Sequence, residues 1–89
     1  MTCGVEWPSM GWVASIGLAR VTVSADLITV RVLGIPKRFR RTDTAFRVAY
    51  DTSRPKLPGV LVAKNLTVMI LRARDPGALD SLFREYHWL

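Results

Sequence analysis

The side chains best suited to chemistry in this sequence are cations concentrated in the middle of the chain. Eight of the 13 lysines and arginines lie between Arg31 and Lys56, where only Asp43 and Asp51 oppose them. This segment therefore carries +6, the whole formal charge of the 89-residue chain, and the remainder is neutral. A concentrated field of this kind attracts phosphates, acidic protein surfaces or anionic lipid headgroups.

Part of this basic segment is predicted to contact a partner. The candidate partner-binding residues are Lys37, Arg38, Phe39, Arg40, Arg41 and Arg47. Phe39 lies among four cations and would stack on a nucleic acid base or enter an interface. The alternative is that these charges form a solvated strand edge, which blocks edge-to-edge aggregation.

Catalytic and metal-binding side chains are scarce. Cys3 and His87 are the only cysteine and the only histidine, so neither a disulfide nor a zinc site of the usual spacing is expected. Neither residue has a partner at a spacing that suggests a nucleophile and its base. Gly4, Gly11 and Gly17 lack the Gly-Lys-Ser/Thr context of a phosphate loop. We therefore expect no enzyme, no cofactor and no metal.

Length and composition predict one small domain over residues 1–89. Apolar residues make up 49% of the chain, close to the globular average, so the chain should fold. The longest uncharged stretch, Trp7 to Ala19, has 13 residues, fewer than the roughly 20 apolar residues that a membrane span requires. Without a disulfide, a transmembrane segment or an export signal, we expect a cytoplasmic protein.

Alternating apolar and polar residues predict antiparallel strands to position these side chains. Residues 19–24 and 27–32 flank a short turn and predict a hairpin. Leu33–Pro36 interrupts the ladder and predicts a turn or a strand edge, because proline lacks the N–H of a central strand. Residues 46–50 form another alternating run, and Lys64-Asn65 predicts a tight turn between two apolar runs.

The two ends of the chain differ in regularity. Residues 1–17 scatter glycine, proline and serine among large apolar residues, which predicts an arm or a first strand; we favour an arm leading into a short strand. At the other end, Asp75 is a good helix cap and Pro76 a favoured first helical residue. One apolar stripe follows at helical spacing: Leu79, Leu82, Phe83 and Tyr86. A C-terminal helix is therefore predicted over residues 75–87.

Three tryptophans, Trp7, Trp12 and Trp88, lie near the two ends of the chain. They either pack the termini together or anchor a partner. Core packing is the favoured interpretation, because aromatic side chains are more often buried than exposed.

The order of these elements predicts an α+β, mainly β fold. Its antiparallel strand meander forms a small sheet or a partly open barrel, and one amphipathic C-terminal helix covers it. The order resembles the pleckstrin-homology-like fold, in particular its small bacterial versions, over roughly residues 19–86. The resemblance rests on the strand pair at 20–32 before a basic segment, the Leu57-Pro58-Gly59 loop and the Asp75-Pro76 helix start.

That resemblance implies a binding function. Lipid-binding members of the pleckstrin-like fold use basic residues of an early loop, which here correspond to Lys37, Arg38, Arg40 and Arg41. We expect a non-enzymatic binding module of bacterial or phage origin that engages an acidic protein partner, as a small regulator or inhibitor. Binding of nucleic acid or of an anionic membrane surface through the same segment is the alternative.

Overall fold

A computed structural model describes all 89 residues as a curled half-barrel of antiparallel strands with one C-terminal helix. The elements in chain order are β1 (Thr2–Trp7), β2 (Trp12–Val23), β3 (Leu27–Val32), β4 (Ile35–Arg40), β5 (Arg47–Asp51), β6 (Gly59–Lys64), β7 (Thr67–Arg72) and α1 (Pro76–Glu85). The strand order across the sheet is β4-β3-β2-β1-β7-β6-β5. The predicted mainly β fold with a C-terminal helix is confirmed.

The N-terminal segment is the centre of the sheet. The arm favoured for residues 1–17 is instead strand β1 and the first half of β2, and β1 pairs with both β2 and β7. The scattered glycines suggested an irregular arm, but Gly4 and Gly17 lie within the paired strands. A Cβ atom on Gly4 would lie 2.8 Å from the carbonyl oxygen of Ala14, and Gly17, at φ +107°, lies where the β1–β2 register shifts.

Strand β4 was not predicted from the sequence, because it contains a proline and a run of charged residues. It contains Pro36 and most of the basic run, and it pairs with β3 alone. Proline is tolerated because β4 is an edge strand, where an N–H facing away from the sheet is not needed. The interruption at Leu33–Pro36 thus resolves into a Leu33-Gly34 turn and the start of an edge strand.

The turn between β6 and β7 falls one residue later than predicted. Lys64 pairs with Thr67, so the two turn residues are Asn65 and Leu66. Asn65 has φ +49°, in the left-handed region that asparagine tolerates. Leu66, which the apolar run assigned to the strand, is therefore at the tip of the turn.

The helix begins as predicted and closes one end of the half-barrel. The Asp75 carboxylate accepts a hydrogen bond from the Ala78 N–H at 3.1 Å, and Pro76 opens α1. Leu79 and Phe83 of the predicted stripe are buried in the core. The helix ends at Glu85, before the predicted residue 87, because His87 adopts a positive φ.

Beyond the helix, the chain folds back against the same end of the half-barrel. Trp88 is buried there, and its indole N–H donates to the Ser24 carbonyl in the β2–β3 turn at 2.7 Å. No helix of the molecule has the length and apolarity needed to cross a membrane.

Candidate functional site

The six predicted partner-binding residues do not share one surface. Along β4 the side chains alternate, so Arg38 and Arg40 face solvent while Phe39 faces the core. Phe39 is 0% exposed, which makes its assignment as a partner-binding residue wrong. Its role is packing, since it lies in the main hydrophobic cluster of the half-barrel.

Arg41 is engaged within the molecule. Its guanidinium donates to the carbonyl oxygen of Ala25 at 2.8 Å, of Tyr86 at 2.6 Å and of His87 at 3.3 Å. It also lies 3.7 Å from the centre of the Trp88 ring, within the range of a cation–π contact. Arg41 therefore ties the β2–β3 turn to the end of the helix. Its partners are distant in sequence, so no local pattern indicated this role.

The exposed cations that the fold does bring together lie on the outer face of strands β2, β3 and β4. We call this surface the arginine face; its members are Arg20, Arg31, Arg38 and Arg40. Arg20 is directly opposite Arg31 in the register, and Thr29 is opposite Arg38. Neighbouring strands lie about 4.8 Å apart, so these side chains form one continuous surface.

Arg20 is the member that the charge count missed. It lies outside the basic segment, where its charge was balanced against distant carboxylates. The turn around Ser24–Asp26 fixes the hairpin register, and that register places Arg20 beside Arg31 on the outward face. Strand alternation combined with the predicted turn was thus the signal that could have found it.

No carboxylate forms a salt bridge with the arginine face, although Asp43 lies near enough to Arg40 for their attraction to help lower the pKa of Asp43. The salt bridges of the molecule are made by other cations: Arg54, Lys64, Arg72 and Arg84. Like charges directly opposite one another in a sheet are destabilising, so the Arg20–Arg31 pair contributes nothing favourable to folding. The arginine face is therefore a positive surface that forms no salt bridge within the molecule.

The remaining predicted cations lie elsewhere. Arg47 is exposed on β5, at the far end of the strand order from β4. Lys37 shares the inward side of β4 with Phe39, but lies beyond the core at the end of the half-barrel away from the helix. The structure therefore keeps Arg38 and Arg40 of the predicted set on one face and adds Arg20 and Arg31.

The two carboxylates of the basic segment are used internally. Asp43 accepts from the Arg40 backbone N–H at 2.7 Å and pairs with Lys64 at 3.3 Å. The Arg40 hydrogen bond is the main cause that lowers the pKa of Asp43, with Lys64 adding to it against the opposing effect of burial. Lys64 also donates to the Arg38 carbonyl at 2.6 Å, which closes the seam between β4 and β6.

Arg72 organises a buried ionic cluster around strand β7, outside the main hydrophobic cluster. Its guanidinium donates to Glu6 at 2.6 Å, to the Leu57 carbonyl at 2.6 Å and to Asp51. Burial alone would raise the pKa of Asp51, but hydrogen bonds from Ser53 and Arg72 outweigh it and lower the pKa. This cluster fastens the long β5–β6 loop to the sheet and leaves no buried polar side chain unpaired.

The end of the half-barrel opposite the helix carries a large apolar groove. It lies between the β1–β2, β3–β4 and β6–β7 turns, has a volume of about 970 Å³, and 12 of its 16 lining residues are hydrophobic. We call it the turn-end groove. Several large apolar side chains on its rim are exposed to solvent: Trp12 (68%), Ile35 (73%), Leu33 (74%) and Leu66 (95%). Of the three tryptophans, Trp88 is buried and Trp12 is exposed in this groove.

The two residues considered for nucleophilic chemistry are placed apart. Cys3 lies buried in β1, and burial raises the pKa of its thiol to about 11, only partly countered by the N-terminal ammonium. His87 is exposed just beyond α1. No group of three histidine, cysteine, aspartate or glutamate side chains is arranged to hold a metal ion.

The chain was compared with protein-family models, curated proteins and solved structures. No protein-family model, curated protein or solved structure matches the chain. The arginine face and the turn-end groove are therefore interpreted from their own chemistry.

Proposed function

We propose that this chain is a non-enzymatic binding module whose arginine face engages an acidic protein surface. The observation that carries the proposal is the set of four exposed arginines on one sheet face, none of which forms a salt bridge. A guanidinium binds carboxylates in a planar, bidentate geometry, and a positive patch of this kind also accelerates encounter with an acidic partner.

The neighbours of the arginines favour a protein over a nucleic acid. Thr22 and Thr29 lie between them, and Phe39 faces the core. The face therefore offers no aromatic ring, whereas proteins that bind single-stranded nucleic acids combine cations with stacking platforms. Double-stranded nucleic acid bound through its phosphates and anionic lipid headgroups are the remaining competitors for this surface.

The half-barrel with a C-terminal helix is also consistent with a pleckstrin-homology-like fold. From the sequence resemblance to small bacterial members of that fold and from the single cysteine, we further propose a small regulator or inhibitor of bacterial or phage origin that acts in the cytoplasm.

Charge reversal on the face tests the proposal. The variant Arg31→Glu/Arg38→Glu is compared with Arg47→Glu/Lys56→Glu, which changes the net charge equally at exposed positions on β5 and the loop after it. Tagged proteins are incubated with nuclease-treated bacterial lysate, and captured proteins are purified and titrated directly. We expect acidic partners to bind the wild type and the control about tenfold or more tightly than the face variant, a difference of about 1.4 kcal/mol or more.

Identical partner sets for all three proteins would show that the arginine face is not the binding surface. Loss of all captured protein after nuclease treatment, together with a salt-sensitive shift of a DNA fragment, would assign the face to nucleic acid instead. Equal weakening by both variants would indicate a general effect of net charge.

A further inference from the structure

The rim of the turn-end groove carries two leucines at positions where the fold does not require an apolar side chain. Leu33 adopts φ +51°, a conformation that suits glycine or asparagine, and its side chain is largely exposed. Leu66 is almost wholly exposed at the tip of its turn. Turn residues of this kind are ordinarily small or polar. Two leucines at neighbouring tips therefore point to a contact made outside the chain.

The groove is continuous with the arginine face. Pro36 lines the groove and is directly opposite Arg31 in the β3–β4 register. Leu18 also lines it, two residues before Arg20 on the same outward side of β2. Lys37 lies in the groove lining and makes no salt bridge. An apolar concavity is thus bordered by three cations that no carboxylate neutralises.

We propose that the turn-end groove binds an acidic amphipathic segment of a protein partner. Its apolar side chains would enter the groove between Leu33 and Leu66, and its carboxylates would meet Lys37, Arg31 and Arg20. This inference rests on the proposed function and adds the kind of segment that the partner presents. An amphipathic helix with anchors at i, i+3 or i+4, and i+7 is the form of ligand that apolar grooves of this type accept.

Charge and shape favour this occupant over the others. A second copy of the chain would bring the same cations together across the contact, which is unfavourable for a protein with a net charge of +6. The volume of about 970 Å³ is near the upper end of ligand-pocket sizes and accommodates several side chains. A flat bilayer surface would leave such a concavity unfilled.

A random 16-residue peptide library displayed on phage provides the probe. It is selected against the wild type and against Leu33→Asn/Leu66→Ser, a variant that removes the rim leucines. Asparagine suits the positive φ at position 33, and Leu66 contributes almost no buried surface, so the midpoint of urea unfolding should be unchanged or higher. Enriched peptides are synthesised and titrated, with tryptophan emission as readout, because Trp7 and Trp12 both line the groove.

We expect enriched peptides to combine apolar residues at helical spacing with aspartate or glutamate. Their affinity should fall at least tenfold in the rim variant, and their binding should shift the tryptophan emission to the blue. No enrichment against the wild type, enrichment of peptides without carboxylates, or equal affinity for the rim variant would each overturn the inference.

Vesicles of phosphatidylglycerol and of phosphatidylcholine form a second arm. Flotation with the anionic vesicles that the rim variant loses, in the absence of peptide selection, would assign the groove to a membrane and overturn the proposal. The two proposals fail separately: if acidic partners depend on Arg31 and Arg38 but bind the rim variant normally, only the groove inference falls.

Discussion

Arg72 shows how a buried charge is held at the scale of one residue. Its side chain is 4% exposed and meets two carboxylates, those of Glu6 and Asp51. Desolvation of such a group is costly, and the attraction between the partners offsets it only while the geometry is complete. Arg54 contacts the same Glu6 at 3.0 Å, but its side chain is 60% exposed. One carboxylate thus receives both a buried and a solvated arginine, whose contributions to stability should differ.

We therefore expect Arg72→Ala to lower the free energy of unfolding by about 3 kcal/mol or more, because it removes the salt bridge of the largely buried Asp51 and one of the two salt bridges of Glu6. Arg54→Ala, the matched control, should cost less than about 1 kcal/mol, as exposed ion pairs do. Urea denaturation followed by circular dichroism measures both. Comparable losses for the two variants would show that the burial of Arg72 does not govern the energy of the cluster.

The helix terminus and the edge strand illustrate what individual elements contribute. The Asp75 carboxylate satisfies one of the N–H groups that the first turn of α1 leaves without an intrahelical partner. Just beyond the helix C-terminus, the Arg41 guanidinium donates hydrogen bonds to the carbonyl oxygens of Tyr86 and His87. Both ends of α1 are therefore fixed, and its buried face closes the half-barrel.

Strand β4 pairs with β3 alone and exposes the side chains of Arg38 and Arg40 to solvent.

Removing the helix cap with Asp75→Ala should cost about 1 kcal/mol and lower Tm by about 4–8 °C for a domain of this size. Asp75→Asn keeps an oxygen acceptor and should cost only a few tenths of that amount, about 0.3 kcal/mol. Differential scanning calorimetry gives both values. A large loss for the asparagine variant would mean that the aspartate acts through its charge and not as a cap.

At the scale of the whole molecule, Asp43, Asp51 and Asp80 form salt bridges within the fold, whereas the arginine face forms none. Asp43, Asp51 and Asp80 each have a lowered pKa. For Asp80 the main cause is a hydrogen bond from the Tyr50 hydroxyl, with Arg84 adding to it against burial. These carboxylates hold loops and helix in place, and their salt bridges are to Lys64, Arg72 and Arg84, not to the arginine face.

Stability should consequently depend on acid pH in a defined direction. Each of these aspartates titrates below its unfolded-state value of about 3.9, so its stabilising contribution is complete above that pH and is lost as pH falls through the folded-state pKa. We expect the free energy of unfolding to be nearly constant from about pH 7 to about pH 5. Below about pH 4 it should fall.

Urea titrations at several pH values test this dependence. Asp80→Asn supplies the control, since it removes one titrating group and should flatten part of the acid decline. A free energy of unfolding that rises on acidification would contradict the assignment of these carboxylates as stabilising partners.

Several particular residues show how far sequence reasoning reached. The Asp75-Pro76 start and the Leu79/Phe83 stripe of the helix are local features, and the structure has them as predicted. For residues 1–17 an arm was favoured over a first strand, because the close strand approach that Gly4 permits becomes necessary only once β1 is paired. Phe39 was placed on the surface because four cations flank it, although alternation along β4 directs it inward.

The sequence by itself determined the strand alternation, the helix cap and the excess of positive charge, because each depends on neighbours within a few residues. Only the tertiary structure decided which cations share a surface. Pairing of β3 with β2 and with β4 placed Arg20, Arg31, Arg38 and Arg40 on one face, whereas Arg41 and Arg72 contact carbonyls and carboxylates up to 66 residues away. Charge is a property of composition, but its neutralisation depends on distances that folding alone sets.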